Sequence, residues 1–242
     1  MSFDLQHKKE FIEVLSEYRP SSAALESLKE IPLVIMLGVT ASGRNTIINH
    51  LVNSGKYHFV VSDTTRPPKV RNGSLEQDGV HYNFRSEEDM LEELRDGKYL
   101  EAELIHDQQV SGISINELEK AAASKKIPIN EVDVGGTVAI KAAKPDTKFF
   151  FIIPPSHKEW LYRLQGREVM SDAEMANRMR TAITVLKTAL ADSSFTFIVN
   201  DSSHASSELI DSVATGDEHA YDDTGAREIA QSVLATLESS TH

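Results

Sequence analysis

Apolar residues in this chain follow two rhythms, one of strands and one of helices. Leu33 to Leu37 form a continuous apolar run that ends at Gly38, and after small residues to Gly43 the positions Ile47, Ile48, Leu51 and Val52 repeat with a helical period. The stretch predicts strand, loop, helix. "HFVV" reads as a strand to Val61, followed by the Pro- and Gly-broken loop "SDTTRPPKVRNG". "GVHYNF" alternates like a half-buried strand, and "SEEDMLEELRDG" reads as a capped helix closed by Gly97. "KYLEAELI" and "QQVSGI" predict further strands, giving a small mixed unit over 62–113. A helix at 115–124, a strand at 127–132, a helix at 136–143 and a strand at 148–153 then restore the alternation of a parallel sheet. "FFFIIPP" is apolar throughout, as for a strand buried on both faces. Ser171 and Glu174 have capping-box spacing ahead of a long helix to Leu190, "FTFIVND" reads as a last core strand, and "REIAQSVLATL" as a last amphipathic helix.

Two helices are expected ahead of this alternation. One, within 4–18, places Leu5, Phe11, Ile12, Leu15 and Tyr18 on a rough apolar face, and the other follows Pro20 with an N-cap at Ser21 or Ser22. The predicted division is a helical extension at 1–31, a main domain at 32–201 in which 62–113 and 155–180 stand apart, an acidic exposed insertion at 202–223, and a C-terminal helix at 224–242. The insertion is expected from its polar composition and poor periodicity.

Composition narrows the classes of function. The 242 residues are 40% hydrophobic and 26% charged, as in an ordinary globular protein. No apolar run approaches the length of a membrane span, and no basic-then-apolar leader opens the chain, so a cytoplasmic protein without membrane association is expected. The absence of Cys excludes disulfides, Cys-ligated zinc and thiol catalysis. A formal net charge of −12 argues against nucleic-acid binding, so any phosphate site must be a local concentration of base. Arg66 to Arg71 and Arg163 to Arg180 are two such stretches.

Gly38 and Gly43 have the spacing of the P-loop pattern G-x-x-x-x-G-K-[ST], where backbone amides curl around phosphate, the Lys bridges the outer phosphates and the hydroxyl ligates Mg²⁺. Here the last two positions are Arg44 and Asn45. Arg44 keeps the charge as a longer planar fork, Asn45 offers a metal only a carbonyl, and Thr46 is the nearest hydroxyl and the candidate Mg²⁺ ligand. Taken alone, the pattern is also compatible with an ordinary strand-to-helix turn.

The ordered series "SDTTRPPKVRNG", "DGVHYNF", "EAELI", "NEVDVGG", "FFFIIPPS", "RLQGR" and "FIVND" resembles the guanylate kinase family. That family reads approximately S-x-T-T-R-x-P-R-x-G-E, G-x-D-Y-x-F, I-E, L-D-I-D-x-Q-G, F-I-x-P-P-S, R-L-x-x-R-G-T and I-x-N. The likeness covers about Leu33 to Asp201 and the last helix. It implies an α/β fold with a P-loop three-layer core on a parallel sheet, a small mixed unit at 62–113 that binds GMP, and a helical lid at 155–180 that closes over ATP. By position it implies that Gly38, Ser42, Gly43, Arg44, Asn45, Thr46 and Asn200 hold ATP and its phosphates. Arg66, Lys69 and Tyr82 would take the monophosphate of GMP, and Ser62, Glu101 and Asp133 would lie at the guanine edge. Arg44, Arg163, Arg167 and Arg178 would neutralise charge on the transferring phosphoryl group.

The departures are specific. Lys69 replaces the second phosphate-binding Arg, with Arg71 nearby in a lengthened loop, and Ser111, Gly112 and Ile113 stand where the family has Tyr-Gly-Ser or Tyr-Gly-Thr. A base-contacting hydroxyl is thus lost at Ile113. Glu131 replaces the first acid of D-x-D, Gly135 replaces a Gln, and the lid reads Arg167, Glu168, Val169 in place of R-G-T. Two functions follow. One is an ATP- and Mg²⁺-dependent kinase of a nucleoside monophosphate, GMP foremost. The other is a non-catalytic module of the same fold that binds a nucleotide or an acidic or phosphorylated protein partner.

Overall fold

The computed structural model describes residues 4–71, 73–166, 170–216 and 221–240 and, of Arg71, the backbone alone. In chain order the elements are α1 (Lys8–Ser16), α2 (Ser22–Leu28), β1 (Val34–Gly38), α3 (Arg44–Asn53), β2 (Tyr57–Phe59), β3 (Asp63–Thr64), β4 (Val70–Arg71), β5 (Ser74–Leu75), β6 (Asn83–Phe84) and α4 (Glu87–Arg95). They continue with β7 (Tyr99–Ile105), β8 (Gln109–Ser114), α5 (Ile115–Ala123), β9 (Ile127–Glu131), α6 (Gly136–Ala143), β10 (Lys148–Ile153), α7 (His157–Gln165), α8 (Asp172–Leu190), β11 (Phe195–Val199), α9 (Ser203–Thr215) and α10 (Thr224–Ser240). The chain forms two compact units. The first is Met1–Pro32, His58–Asn130 and Gly136–Thr147, and the second is Leu33–Tyr57, Glu131–Gly135 and Lys148–His242.

The all-apolar run at 149–153 is buried on both faces, as its composition requires. β10 pairs in parallel with β1 and with β11, within a five-stranded sheet ordered β11-β10-β1-β9-β2. Phe149 lies opposite Phe195 and Phe151 opposite Phe197, with ring centroids 5.9 and 4.9 Å apart. These cross-strand aromatic pairs fix the register, because a one-residue slip would break both. In the second unit α3 packs with α9, while α7 and α8 pack with α10.

In the first unit, a four-stranded mixed sheet ordered β6-β3-β8-β7 packs with α4 and α1 around Phe11, Met90, Leu91, Leu94, Tyr99 and Val110. The N-terminal extension is bonded to this sheet. The Tyr18 hydroxyl accepts from the Tyr99 amide at 2.8 Å and donates to the Tyr99 carbonyl at 2.7 Å, completing the outer edge of β7. Burial pushes the Tyr18 hydroxyl up to about 12, and the charge of Glu101 adds to the shift. Tyr18→Phe is expected to leave both Tyr99 groups unmet and to cost about 1–3 kcal/mol, read as a lower urea midpoint. An unchanged midpoint would show that water replaces the hydroxyl.

Several expectations need correction. Ile12 is 49% exposed, so the buried face of α1 turns on Phe11 and not on its neighbour. "GVHYNF" yields only the two-residue β6, because Gly79 adopts φ +72° in a turn. The stretch at 202–223 is not an exposed insertion over its first half. Ser203–Thr215 is helical, with Ser202 accepting from Ala205 and with Ser206, Ser207, Ile210 and Val213 buried. Small serines occupy much of its buried face, which hides the helix from a hydrophobic pattern. The N-cap of α2 is Ser21, one of the two serines expected there, and its hydroxyl accepts from Ala24.

Candidate active site

Strand β1 delivers Gly38 to a tight turn that Gly43 closes at φ +91° as the N-cap of α3. Both glycines are required by space. A Cβ on Gly38 would lie 2.4 Å from the Ile152 carbonyl, and one on Gly43 would lie 2.2 Å from Asn200 Nδ2. Ala41 holds φ +64° within the turn, which for a residue with a Cβ costs roughly 1 kcal/mol. The turn is clamped from behind. Asn200, buried at the end of β11, donates from Nδ2 to the Ser42 carbonyl at 2.7 Å, and Trp160 Nε1 donates to the Thr40 carbonyl at 2.8 Å. Arg163 donates to the Asn200 carbonyl at 3.0 Å and to Glu159 at 2.7 Å.

The N-terminus of α3 has no side-chain cap, so its first-turn amides and positive dipole end remain available to an anion. Arg44 opens the helix and lines a cleft of about 290 Å³, together with Gly38, Glu131, Asp133, Arg178 and Thr181. The Arg44 Nε lies 3.8 Å from Glu131 Oε2, a buried oxygen with no hydrogen-bond donor among the described residues. Arg178 forms an i,i+4 ion pair with Glu174 at 3.4 Å. Thus Gly38, Arg44 and Arg178 meet at one cleft, and Asp133, expected at the guanine edge, lines that cleft with them. Arg163 and Asn200 support the turn from behind, while Ser42 is wholly buried and Asn45 and Thr46 are exposed. Arg167 lies outside the described residues.

The donor set at this cleft suits Mg²⁺. A buried carboxylate oxygen without a hydrogen-bond donor, on a cleft wall shared with a second carboxylate at Asp133, fits a hard cation that keeps water and phosphate oxygens as its other ligands. Among the described residues no group of three or more carboxylate or histidine ligands forms a closed metal cage.

The remaining predicted residues belong to the first unit. Glu101 is buried on β7 opposite Ile113 of β8, and a register shift separates it from Tyr99. Arg66 is 4% exposed and lies over the Tyr82 ring at 4.7 Å, and its guanidinium donates to both oxygens of Glu76, at 2.5 and 3.0 Å. Burial opposes the Arg66 charge, but Glu76 more than restores it, and the guanidinium is held above its ordinary pKa. A phosphate at Arg66 therefore has to compete with a buried bidentate carboxylate. Lys69 is exposed, and its backbone amide also donates to Glu76. Ser62 Oγ accepts from Asn130 Nδ2 at 3.2 Å, and the same nitrogen donates to the Val60 carbonyl at 2.7 Å. Sequence reasoning missed Asn130 and the Arg66–Glu76 pair. The sole signal for Asn130 was an amide where the resembling family reads Leu.

A parallel sheet whose first strand runs through a glycine turn into an uncapped helix defines an α/β protein of the P-loop class. The sequence model described as Guanylate kinase matches residues 30–213, and the chain belongs to the guanylate kinase family. It is similar to Guanylate kinase 1 of Arabidopsis thaliana, 35% identical over 172 residues that cover 70% of this chain and 43% of that protein. It is also similar to the guanylate kinase of Cutibacterium acnes (strain DSM 16379 / KPA171202), 30% identical over 196 residues that cover 79% of this chain and 94% of the relative. The chain spans less than half the length of two plant relatives, 43% of the Arabidopsis protein and 49% of Guanylate kinase 1 of Oryza sativa subsp. japonica. Its fold matches the crystal structure of guanylate kinase from Anaplasma phagocytophilum with a TM-score of 0.53 and 20% identity, over 85% of this chain and 97% of that one.

Proposed function

We propose that the protein is an ATP-dependent nucleoside monophosphate kinase that converts GMP and ATP to GDP and ADP. A phosphate oxygen of GMP attacks the γ-phosphorus of ATP, the bond from that phosphorus to the β,γ-bridging oxygen breaks, and ADP leaves. The observation that carries this reading is the strained, doubly clamped glycine turn, which brings Arg44 and the open N-terminus of α3 to a cleft shared with Arg178. An ordinary strand-to-helix turn needs neither glycine crowding nor two side-chain clamps. Arg44 and Arg178 would neutralise the phosphates, and Asn200 and Arg163 would hold the turn in shape. Mg²⁺ would be held beside Glu131, with Asp133 and Thr46 as further oxygen donors, and would supply charge neutralisation on the ATP phosphates. Glu101 and Ser62 would read guanine, and Tyr82 with Lys69 would meet the monophosphate. Residues 155–180 would serve as the lid and would contribute Arg167 to the transferring phosphoryl group.

The second reading is a non-catalytic module that binds a nucleotide or an acidic or phosphorylated protein partner. One observation favours it, the closure of Arg66 onto Glu76, since this removes a cation from the monophosphate site. An assay of ADP release with GMP, dGMP, AMP and UMP decides between them. Turnover with GMP supports the kinase. Measurable GMP binding without turnover of any substrate supports the module. Among the described residues no helix is long and apolar enough to cross a membrane.

A further inference from the structure

We infer that Asn130 determines base selectivity, by orienting the Ser62 hydroxyl to donate to the 6-oxo group of a purine. The inference rests on the reading above, in which Ser62 and Glu101 meet guanine. Asn130 is 2% exposed, and its Nδ2 lies 2.7 Å from the Val60 carbonyl and 3.2 Å from Ser62 Oγ. A carbonyl oxygen can only accept, so the atom facing Val60 is the amide nitrogen and its orientation is fixed. Its two hydrogens serve Val60 and Ser62. The Ser62 oxygen therefore accepts from within the protein, and its own proton has no acceptor among the described residues. That proton can be given to a ligand.

The consequence is a polarity at the base site. Guanine presents an acceptor at its 6-position, and adenine presents an amino donor there. A serine that rotates freely would serve either base. One held by Asn130 rewards the 6-oxo base, because a ligand that donates to the remaining lone pair of Ser62 leaves the serine's own proton without an acceptor. The same arrangement accounts for Ile113. That residue is 1% exposed and stands across from Glu101, where the resembling family carries a base-contacting hydroxyl. The chain lost one hydroxyl at the base and gained an amide that fixes the direction of the other.

The test is calorimetric binding of GMP and AMP to the full chain and to Asn130→Leu, which restores the residue the family reads at this position. Asn130→Asp serves as an isosteric second variant, because a carboxyl has at most one proton to share between Val60 and Ser62. Both are expected to lower the GMP-to-AMP affinity ratio about tenfold, chiefly by strengthening AMP. In a Ser62→Ala background, Asn130→Leu should change the ratio less than twofold, which a merely structural role would not predict. A ratio unchanged in both single variants, or an equal further fall in the Ser62→Ala background, overturns the inference. Wild-type protein that binds both nucleotides equally also overturns it while leaving a kinase reading intact. Wild-type protein that binds neither overturns the function itself.

Discussion

Arg44→Ala is expected to abolish ATP turnover, with a fall in kcat/KM of roughly 10²- to 10³-fold, the scale seen when one preorganised charge-stabilising donor is removed. Arg44 is the first helical residue after the turn, and it lines the same cleft as Arg178. Removing it leaves the Glu131 carboxylate facing phosphate without its paired cation. The variant should therefore lose more than the attraction alone, and ATP binding should fall along with catalysis. Arg44→Lys is expected to retain or raise activity, since an ammonium supplies the same charge to a compact phosphate site. An inactive Arg44→Lys beside an active wild type would show that the turn was rebuilt around the guanidinium, with the Glu131 pair holding a fork that Lys cannot mimic. Thermal melts of both variants separate this from misfolding.

Much of the scaffold was legible because its signals are local. Two glycines five residues apart, an all-apolar strand at 149–153 and serines three residues ahead of acids each state their own structure, and the strand and the Ser171 cap appear where the pattern placed them. The helix α9 was not legible, since its buried side includes Ser206 and Ser207, whose hydroxyls bond back to the backbone at Val199 and His204. A serine that satisfies itself in this way counts as polar in a pattern and as core in a fold. The site shows the same limit. Residue identity singled out Arg66 as a candidate, but not its capture by Glu76 ten residues on across a lengthened loop. Residue identity also singled out Ser62 as a candidate, but not its bond to Asn130, sixty-eight residues away. Long-range pairing of polar groups leaves no periodic trace in a single sequence.

Glu101→Gln is expected to weaken GMP binding by roughly 1–3 kcal/mol, about 5- to 150-fold, with little change for inorganic phosphate. A carboxylate can accept from both N–H groups on guanine's edge, whereas the amide has to present one donor to a donor and leaves that group unpaired. Burial sharpens the effect, for Glu101 is 8% exposed on a strand whose outer edge is closed by Tyr18 and whose inner neighbour is the wholly apolar Ile113. Water has little room to repair the mismatch there. The variant should also bind AMP no worse than wild type, since adenine lacks the paired donors, so the GMP-to-AMP ratio collapses from the GMP side. The Asn130 variants are expected to collapse it from the AMP side, and the two residues can therefore be told apart by which affinity moves. Equal losses for GMP and for phosphate would mean that Glu101 holds β7 in place and does not touch the base. The Tyr18 hydroxyl, which feels the Glu101 charge, gives a direct check in the free protein. Neutralising residue 101 should lower the Tyr18 pKa from its value near 12, and a spectrophotometric titration that shows no change would place the carboxylate elsewhere.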